Sequence, residues 1–549
     1  MRLSRLAPLL PLLLVSAVPA CAQGRGQPTA VAAPAEVAPT PQGPRPRLVI
    51  LVTVDQLRPD YLTHWREQLT GGYKMLVDQG RFFSEAVHDH AVTETAPGHA
   101  STLSGRFPYS TGIASNSAGV NTQAAPLIES DGVGASPFRF KGSTLADWLA
   151  AADPQTRVLS VARKDRGAIL PIGTARRDVY WYAQRSGKFT TSTYYRDTLP
   201  TWVRAFNDED HAGTRYAGQT WNLLLPEAAY PEPDSVPFES RGQGFLFPHQ
   251  LPDDPELARN QILSFPWMDQ MTLDFAWRGI REMDLGGQAN RTDLLAVSLS
   301  TTDAVGHRWG PDSRELHDQV LRVDRMLGAF LDSVFALRGR DNVVIALTAD
   351  HGVAPIPEVR SRWGDNSKAG RLNTGSFERV IQAVAPMVQR AGIPGDAVQL
   401  DWGVLEVDRS RTQGKERELL AIARAFAREA RRIPGVMRVD VIDDLARVDT
   451  VRDTYARRWL HMFRPGGEAL AVVTLEPYWL AGTGSIATHG SPHDYDAKVP
   501  VIFWGAAFAA GLDTGSARVV DIAPTLAQLL GITPSETLDG VVLSRAFKR

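Results

Sequence analysis

The 549-residue sequence has a single cysteine, Cys21, so an internal disulfide cannot stabilise the fold. It also lacks an excess of charge of either sign, because 59 basic residues stand against 61 acidic ones. A nucleic-acid partner is therefore not expected, since it would require a basic surface. No apolar run approaches the roughly 20 residues of a transmembrane helix. With 43% hydrophobic and 22% charged residues, the composition is that of a globular protein.

Residues 1–22 have the features of a secretory signal peptide. A basic start is followed by an apolar stretch and then by small residues. Cleavage after Ala20 would leave Cys21 as the first residue, where it could carry a lipid anchor, whereas cleavage after Ala22 would remove it. Both alternatives stay open. We therefore expect an exported protein that is periplasmic and either lipid-anchored or secreted.

Residues 23–45, mostly Ala, Pro, Gly and Gln, are predicted to be a flexible linker, and 46–549 to be a catalytic domain. Several apolar runs in this domain show no alternation and end at a charged residue, which is typical of parallel strands covered on both faces. The runs are 47–54, 157–162, 293–300 and 342–347, with 469–475 and 499–504 as further candidates. Helical segments lie between them. The predicted fold class is therefore α/β, with a central, mostly parallel sheet flanked by helices.

Two long stretches interrupt the alternation of strands and helices. Residues 167–290 are rich in tryptophan, tyrosine and proline. Residues 355–467 contain a predicted helix at 416–432 between shorter strand-like pieces. We predict that both stretches are large insertions that form a cap over the carboxyl edge of the sheet, where open α/β sheets place their sites.

Six acidic and imidazole residues follow the predicted strands or lie in a late loop. They are Asp55, Asp303, His307, Asp350, His351 and His489. Asp303 and His307 are four residues apart, close enough to share a metal ion, and Asp350 and His351 are adjacent. Mixed carboxylate and imidazole ligands suit zinc, and two groups of three suit two zinc ions with open positions for substrate. Any one of the six alone would be read as a surface or capping residue, but six together indicate a metal site.

Thr95 is the candidate nucleophile. It lies two residues before Pro97 and is predicted at or near a helix N-terminus. Such a position favours negative charge, which helps both an alkoxide and an attached phosphoryl group. From this segment alone, however, a simple helix cap is the stronger interpretation.

Taken together, these residues resemble the alkaline phosphatase superfamily, and within it the bacterial PafA-type zinc alkaline phosphatases, which use a threonine nucleophile. The similarity runs from Leu48 to the segment 521–526, nearly the whole mature chain. Three motifs carry the subfamily resemblance: Thr-Ala-Pro-Gly-His (95–99), Thr-Gly-Ile-Ala-Ser-Asn (111–116) and Arg-Lys-Asp-Arg-Gly-Ala (163–168).

The resemblance implies a role for each site residue. One zinc ion would be bound by Asp303, His307 and His489. The other would be bound by Asp55, Asp350 and His351 together with Thr95. The non-bridging phosphoryl oxygens would be contacted by three catalytic residues, Asn116, Lys164 and Arg166. Of the remaining histidines, His99 is predicted to be structural, and surface positions are predicted for His88, His90 and His493.

The resemblance also implies that the enzyme hydrolyses small-molecule phosphate monoesters through a phosphothreonine on Thr95, with two Zn²⁺ per chain. The alternative is a phosphodiesterase or nucleotide pyrophosphatase of the same superfamily, which uses a similar metal set. We favour the monoesterase because a diester carries less charge and would not need both Lys164 and Arg166. A non-catalytic zinc- or phosphate-binding protein would have no use for Thr95, and a sulfatase would need Cys or Ser there.

Overall fold

The computed structural model describes residues 45–363, 368–401, 403–482 and 484–549. The predicted signal peptide, Cys21 and the predicted linker up to residue 44 lie outside these ranges. Within them, no helix combines the length and the apolar character that crossing a membrane requires.

The strands of the described chain vary from two to seven residues. In chain order they are β1 Leu48–Val54, β2 Arg81–Phe83, β3 Ala86–Val87, β4 Val158–Ala162, β5 Asp178–Ala183, β6 Lys188–Thr190, β7 Thr220–Trp221, β8 His249–Gln250, β9 Asp293–Leu299, β10 Val343–Thr348, β11 Gly370–Leu372, β12 Val398–Asp401, β13 Val404–Val407, β14 Val436–Val441, β15 Ala469–Leu475, β16 Trp479–Ala481, β17 Val501–Trp504, β18 Gly511–Asp513 and β19 Ala517–Arg518.

The α-helices lie between these strands and within the long connections. They are α1 Pro59–His64, α2 Gly72–Gln79, α3 Thr95–Ser104, α4 Pro108–Thr111, α5 Leu145–Ala152, α6 Asp165–Ile169, α7 Thr201–Asp208, α8 His211–Thr214, α9 Pro255–Gln261, α10 Trp267–Glu282, α11 Thr301–Trp309, α12 Arg314–Arg338, α13 Pro357–Trp363, α14 Glu378–Arg390, α15 Glu416–Ala430, α16 Ile442–Leu445, α17 Thr454–Leu460, α18 Asp494–Ala497 and α19 Ile522–Leu530.

The main sheet has nine strands in the order β18-β2-β17-β10-β1-β9-β4-β5-β6. The five strands from β10 to β5 are parallel, and at the centre Ile50 of β1 lies level with Ile345 of β10 and Leu295 of β9. Helix α10 packs on β4 and β9, α2 packs on β2 and β17, and α12 packs on both helices. Every residue of β1 is buried, which explains its continuous apolar run. The predicted α/β class, with a mostly parallel sheet flanked by helices, is confirmed.

The predicted strand at 469–475 does not join this sheet. As β15 it is the inner partner of β13 and β14 in a separate antiparallel sheet of order β12-β13-β15-β14. Leu470, Ala471 and Val473 belong to a core formed with α14 and α15, whereas Ala469 and Val472 belong to another core with Trp459. Because both faces of β15 are covered, its sequence looks like that of a central parallel strand.

The first long stretch, 167–290, is not entirely separate from the main sheet. Strands β5 and β6 lie within it and extend the sheet beyond β4. Its aromatic residues pack on one another: the ring of Phe275 lies 4.4 Å from that of Phe189, 4.9 Å from that of Trp202 and 5.5 Å from that of Tyr180. These rings therefore build core rather than a ligand surface.

A buried carboxylate fastens part of this stretch to α12. Asp318 is fully buried and accepts hydrogen bonds from Trp221 Nε1 (2.6 Å), the Leu224 amide (2.6 Å) and the Tyr230 hydroxyl (2.7 Å). Its charge is balanced by Arg322, one turn along the helix, at 2.5 Å. Three donors thus depend on one acceptor group.

Asp318→Asn should lower the free energy of unfolding by about 2 kcal/mol, because the amide keeps the volume of the side chain but loses the charge that strengthens these hydrogen bonds. Asp332→Asn, at an exposed position of the same helix, is the matched control and should have little effect. Urea unfolding followed by circular dichroism measures the difference. Equal stability of the two variants would contradict this role of Asp318.

Candidate active site

The carboxyl ends of three neighbouring strands bring the predicted site residues together. Asp55 directly follows β1, Asp350 comes two residues after β10, and Asp303 lies in the first turn of α11, which follows β9. Because these strands are parallel neighbours, their ends lie at one edge of the sheet. All three carboxylates are buried, with exposures of 0%, 0% and 3%.

Asp303, His307 and His489 form the first group of potential metal ligands. One ligand atom from each lies within 4.8 Å of the others. Asp303 and His307 are one turn apart on α11, with 3.1 Å between Asp303 Oδ1 and His307 Nε2. His489 comes from the loop after β16, and its Nε2 lies 3.6 Å from the same oxygen.

Asp55, Asp350 and His351 form the second group, again with one ligand atom from each within 4.8 Å of the others. The His351 Nε2 atom lies 3.4 Å from Asp55 Oδ1 and 3.5 Å from Asp350 Oδ2. The two groups therefore divide the six Asp and His residues in the way that the family resemblance implies for two separate ions.

Backbone carbonyls orient the three imidazoles. The Nδ1 atoms of His307, His351 and His489 lie 2.8–2.9 Å from the carbonyl oxygens of Ala487, Gly352 and Thr93 respectively. A carbonyl can only accept, so each Nδ1 carries a proton, and when a ring is neutral its Nε2 presents a lone pair toward the carboxylates. Histidines that bind metals commonly donate their other ring N–H to a carbonyl or carboxylate in this way.

The second group fits a divalent cation for a further reason. Asp55 Oδ1 and His351 Nε2 are buried and lack a hydrogen-bond donor anywhere in the described part of the chain. Two acceptors that face each other without a shared proton are unfavourable unless a cation lies between them. Carboxylate oxygen and imidazole nitrogen are ligands that zinc accepts.

Burial and neighbouring charges shift the pKa values of several residues in these two groups. Burial, together with the negative charges of Asp303 and Asp350, raises the pKa of Asp55. Burial also opposes ionisation of Asp303, but the Lys164 ammonium and the His307 imidazole outweigh it and lower the pKa of this carboxyl. Burial lowers the pKa of His351, which keeps the ring in the neutral form that binds metals.

Thr95 begins helix α3 and is 1% exposed. Its hydroxyl oxygen lies 3.2 Å from Lys164 Nζ. The same ammonium lies 2.5 Å from Asp55 Oδ2 and 2.7 Å from Asp303 Oδ2, so it touches a carboxylate of each group. Lys164 follows β4, the neighbour of β9 in the sheet. The predicted nucleophile therefore lies beside Lys164, and Lys164 bridges the two ligand groups.

The other two predicted phosphoryl contacts lie in different settings. Asn116 is close to the start of α3, since its Oδ1 accepts a hydrogen bond from the Ala96 amide at 2.9 Å. Arg166 is on α6, and its guanidinium forms no hydrogen bond within the described ranges; the nearest carboxylate is that of Asp165 at 3.7 Å. Lys164 thus contacts Thr95 and Asn116 contacts the next residue, Ala96. Within the described ranges, Arg166 makes no hydrogen bond to either.

Gln56 is a residue of this site that sequence analysis did not identify. It is fully buried and has a positive φ of 69°, which is unusual for a residue other than glycine. Its backbone N–H donates to Asp350 Oδ1 at 3.1 Å, and its side-chain Nε2 donates to Asp303 Oδ1 at 2.9 Å. Gln56 therefore hydrogen-bonds to a carboxylate of each group, which only the folded chain reveals.

Gly98 and His99 fit helix α3 against the second group. A Cβ atom at Gly98 would lie 2.2 Å from the Asp350 carbonyl oxygen, so a side chain there would clash with backbone. His99 is fully buried; its Nδ1 lies 2.9 Å from the Thr95 carbonyl oxygen and 3.2 Å from Asp350 Oδ2, and its Nε2 is 2.9 Å from Ser298 Oγ. These contacts hold the helix close to the strand ends.

The surface positions predicted for three other histidines are wrong. His88, His90 and His493 are 1%, 0% and 4% exposed. His88 Nε2 lies 2.8 Å from the Ala349 carbonyl oxygen, and burial lowers the pKa of this ring to about 4. These histidines lie in short polar segments outside the predicted strands, and such segments do not indicate that other parts of the chain will bury them.

The chain is similar in sequence and fold to known proteins. The family model described as type I phosphodiesterase / nucleotide pyrophosphatase matches residues 49–392. A protein of Myroides odoratus named calcium-transporting ATPase is 32% identical over 518 residues, which cover 89% of this chain and 92% of that protein. Alkaline phosphatase PhoK of Sphingomonas sp is 31% identical over an alignment 566 residues long, gaps included, that covers 96% of each chain. The crystal structure of wild-type alkaline phosphatase PafA matches with a TM-score of 0.82 and 27% identity, covering 92% of this chain and 100% of that one.

If the first group binds a divalent cation, Gln56→Met should weaken its affinity for zinc by about 10-fold or more, because the variant keeps the length of the side chain but cannot orient Asp303. Zinc titration of metal-free protein against a chromophoric chelator measures the affinity and the number of ions bound. Gln288→Met, at an exposed position, is the control and should behave as wild type. Unchanged affinity in Gln56→Met would show that the carboxylates do not depend on this amide.

Proposed function

The chain belongs to the type I phosphodiesterase/nucleotide pyrophosphatase family of the alkaline phosphatase superfamily, and on this basis we propose that it is an alkaline phosphatase. The observation that carries the proposal is the position of Thr95, whose hydroxyl lies 3.2 Å from the Lys164 ammonium, which itself touches a carboxylate of each ligand group. We propose that the enzyme hydrolyses small phosphate monoesters.

Two zinc ions would complete the site. Asp303, His307 and His489 would hold one ion, and Asp55, Asp350 and His351 would hold the other together with Thr95. Bound zinc supplies a Lewis acid that favours the deprotonated oxygen of a hydroxyl or water and offsets phosphoryl charge. The neutral His351 ring, with its unpartnered Nε2, and the unpartnered Asp55 Oδ1 support this assignment.

Thr95 would act as the nucleophile. Its deprotonated oxygen would attack phosphorus, the bond from phosphorus to the ester oxygen would break, and a phosphothreonine would form. The N-terminus of α3 and the Lys164 ammonium favour negative charge on this oxygen. Attack of water on the phosphothreonine would then release phosphate and restore the threonine.

Asn116, Lys164 and Arg166 would hold the non-bridging phosphoryl oxygens. Lys164 acts as a point charge, and the planar Arg166 guanidinium can contact two oxygens at once. The lack of a hydrogen-bond partner for that guanidinium in the described ranges leaves it available for substrate. A monoester carries about two negative charges, which these groups can match.

A phosphodiesterase or nucleotide pyrophosphatase is the second candidate, because the matching family model carries that description. The two cationic side chains after β4 favour the monoester, since a diester presents less charge and one more substituent. One relative is named an alkaline phosphatase and another an ATPase, and both names describe enzymes that hydrolyse a phosphorylated compound.

We further propose that the protein is exported to the periplasm, where it could be lipid-anchored through Cys21, or is secreted. The proposal rests on the signal-like residues 1–22. The remainder of the chain, from about residue 46, would be the catalytic domain, with 167–290 and 355–467 as insertions that form a cap.

Thr95→Ala should reduce hydrolysis of an aryl phosphate by about 10³-fold or more, because it removes the attacking oxygen. Thr95→Ser should retain measurable turnover, since the hydroxyl and the helix terminus remain. Mass spectrometry of acid-quenched enzyme should find the phosphoryl group on residue 95. An active alanine variant, or a phosphoryl group elsewhere, would require another nucleophile.

Replacing Lys164 and Arg166 together by Ala should lower kcat/KM for aryl monoesters by about 10²-fold or more and that for the matching diesters much less. The reason is that the two cations match charge that only the monoester has. Wild-type enzyme should prefer the monoester by orders of magnitude. Arg185→Ala, an exposed arginine, is the control. Parallel losses on both substrates would refute the assigned role.

A further inference from the structure

Glu94 and Asn116 are joined by a pair of hydrogen bonds at the N-terminus of the nucleophile helix. The Asn116 backbone amide donates to Glu94 Oε2 at 2.6 Å. In return, the Asn116 side-chain Oδ1 accepts from the backbone amide of Ala96, the second residue of α3, at 2.9 Å. Glu94 is the residue just before this helix, so the two bonds clamp a distant loop to the residues on either side of Thr95.

The Glu94 side chain does not serve the helix that it precedes. An N-cap side chain usually accepts a hydrogen bond from the second or third helical amide, but the Glu94 carboxylate makes no such bond. Asn116, twenty residues away, accepts from that amide instead. The carboxylate is therefore left to bind the loop, and helix capping does not account for it.

Asn116 needs this support because of where it lies. It follows α4 in a stretch that forms neither helix nor strand, so no regular backbone hydrogen bonds hold it. Its Oδ1 is occupied by the Ala96 amide, which decides the orientation of the side-chain amide. The opposite atom, Nδ2, makes no hydrogen bond within the described ranges and is free to donate.

We propose that Glu94 is a positioning residue that holds the Asn116 amide so that Nδ2 can donate to a phosphoryl oxygen. This inference rests on the proposed phosphatase function and adds a residue that touches neither substrate nor metal. A hydrogen bond of 2.6 Å to a carboxylate is of the strong, charge-assisted kind. Across the described chain, Glu94 forms no ion pair, and its one recorded side-chain hydrogen bond is that to Asn116.

A double-mutant cycle tests the inference. Asn116→Ala should lower kcat/KM for an aryl monoester by about 10²-fold, and Glu94→Ala by about 10-fold or more. In the Asn116→Ala background, Glu94→Ala should cost no more than about twofold, because the group that it positions is gone. Glu94→Gln keeps an acceptor oxygen and should stay within about threefold of wild type. Glu67→Ala, an exposed carboxylate, is the control.

A second measurement does not depend on turnover. Inorganic phosphate should bind more weakly to Glu94→Ala and Asn116→Ala than to wild type. Amide hydrogen exchange at 113–118 should become faster in Glu94→Ala but not in Glu67→Ala. A change confined to this loop would distinguish loss of positioning from general destabilisation.

The outcomes separate the inference from the proposed function. Equal losses from Glu94→Ala in the wild-type and Asn116→Ala backgrounds would overturn the positioning role alone. So would unchanged exchange at 113–118, or a Glu94→Gln variant as impaired as Glu94→Ala. If Asn116→Ala changed neither hydrolysis nor phosphate affinity, the proposed phosphoryl contact and the positioning role would both fail.

Discussion

Three carboxylates buried at one edge of a parallel sheet are the constraint on which the site depends. Asp55, Asp303 and Asp350 lie close together because β1, β9 and β10 are neighbours that end at the same edge. Buried negative charge is costly unless cations or donors compensate it. Lys164 and Gln56 supply part of this compensation, and the Nε2 atoms of three imidazoles complete two sets of ligand atoms that suit divalent cations.

The remaining parts of the site are brought to this edge by close backbone contacts. Helix α3 can approach Asp350 because Gly98 has no side chain, and its N-terminus then lies beside the carboxylates. The loop that carries His489 is fixed from two sides, since Ala487 accepts from His307 and His489 donates to Thr93. Thr93 and Glu94 therefore connect the start of helix α3 to both the loop of His489 and Asn116.

The long connections add cores of their own without displacing this arrangement. Strand β15 and helices α14 and α15 build a separate apolar cluster, while the aromatic residues around Phe275 extend the main core beyond β5. Asp318 ties the segment at 221–230 to α12. The stability of these regions thus rests on packing and buried hydrogen bonds that are independent of the site.

The sequence by itself determined the central strands and the six acidic and imidazole residues that gather at their ends. Both signals are local: a strand buried on two faces needs a continuous apolar run, and Asp303 and His307 share a face of one helix turn. Only the tertiary structure decided that β15 belongs to a second sheet, that His88, His90 and His493 are buried, and that Gln56 hydrogen-bonds to Asp303 and Glu94 to the Asn116 amide. These facts depend on contacts between distant segments, such as the hydrogen bond between Gln56 and Asp303, which are 247 positions apart in the sequence. A local sequence pattern does not encode which distant segments meet.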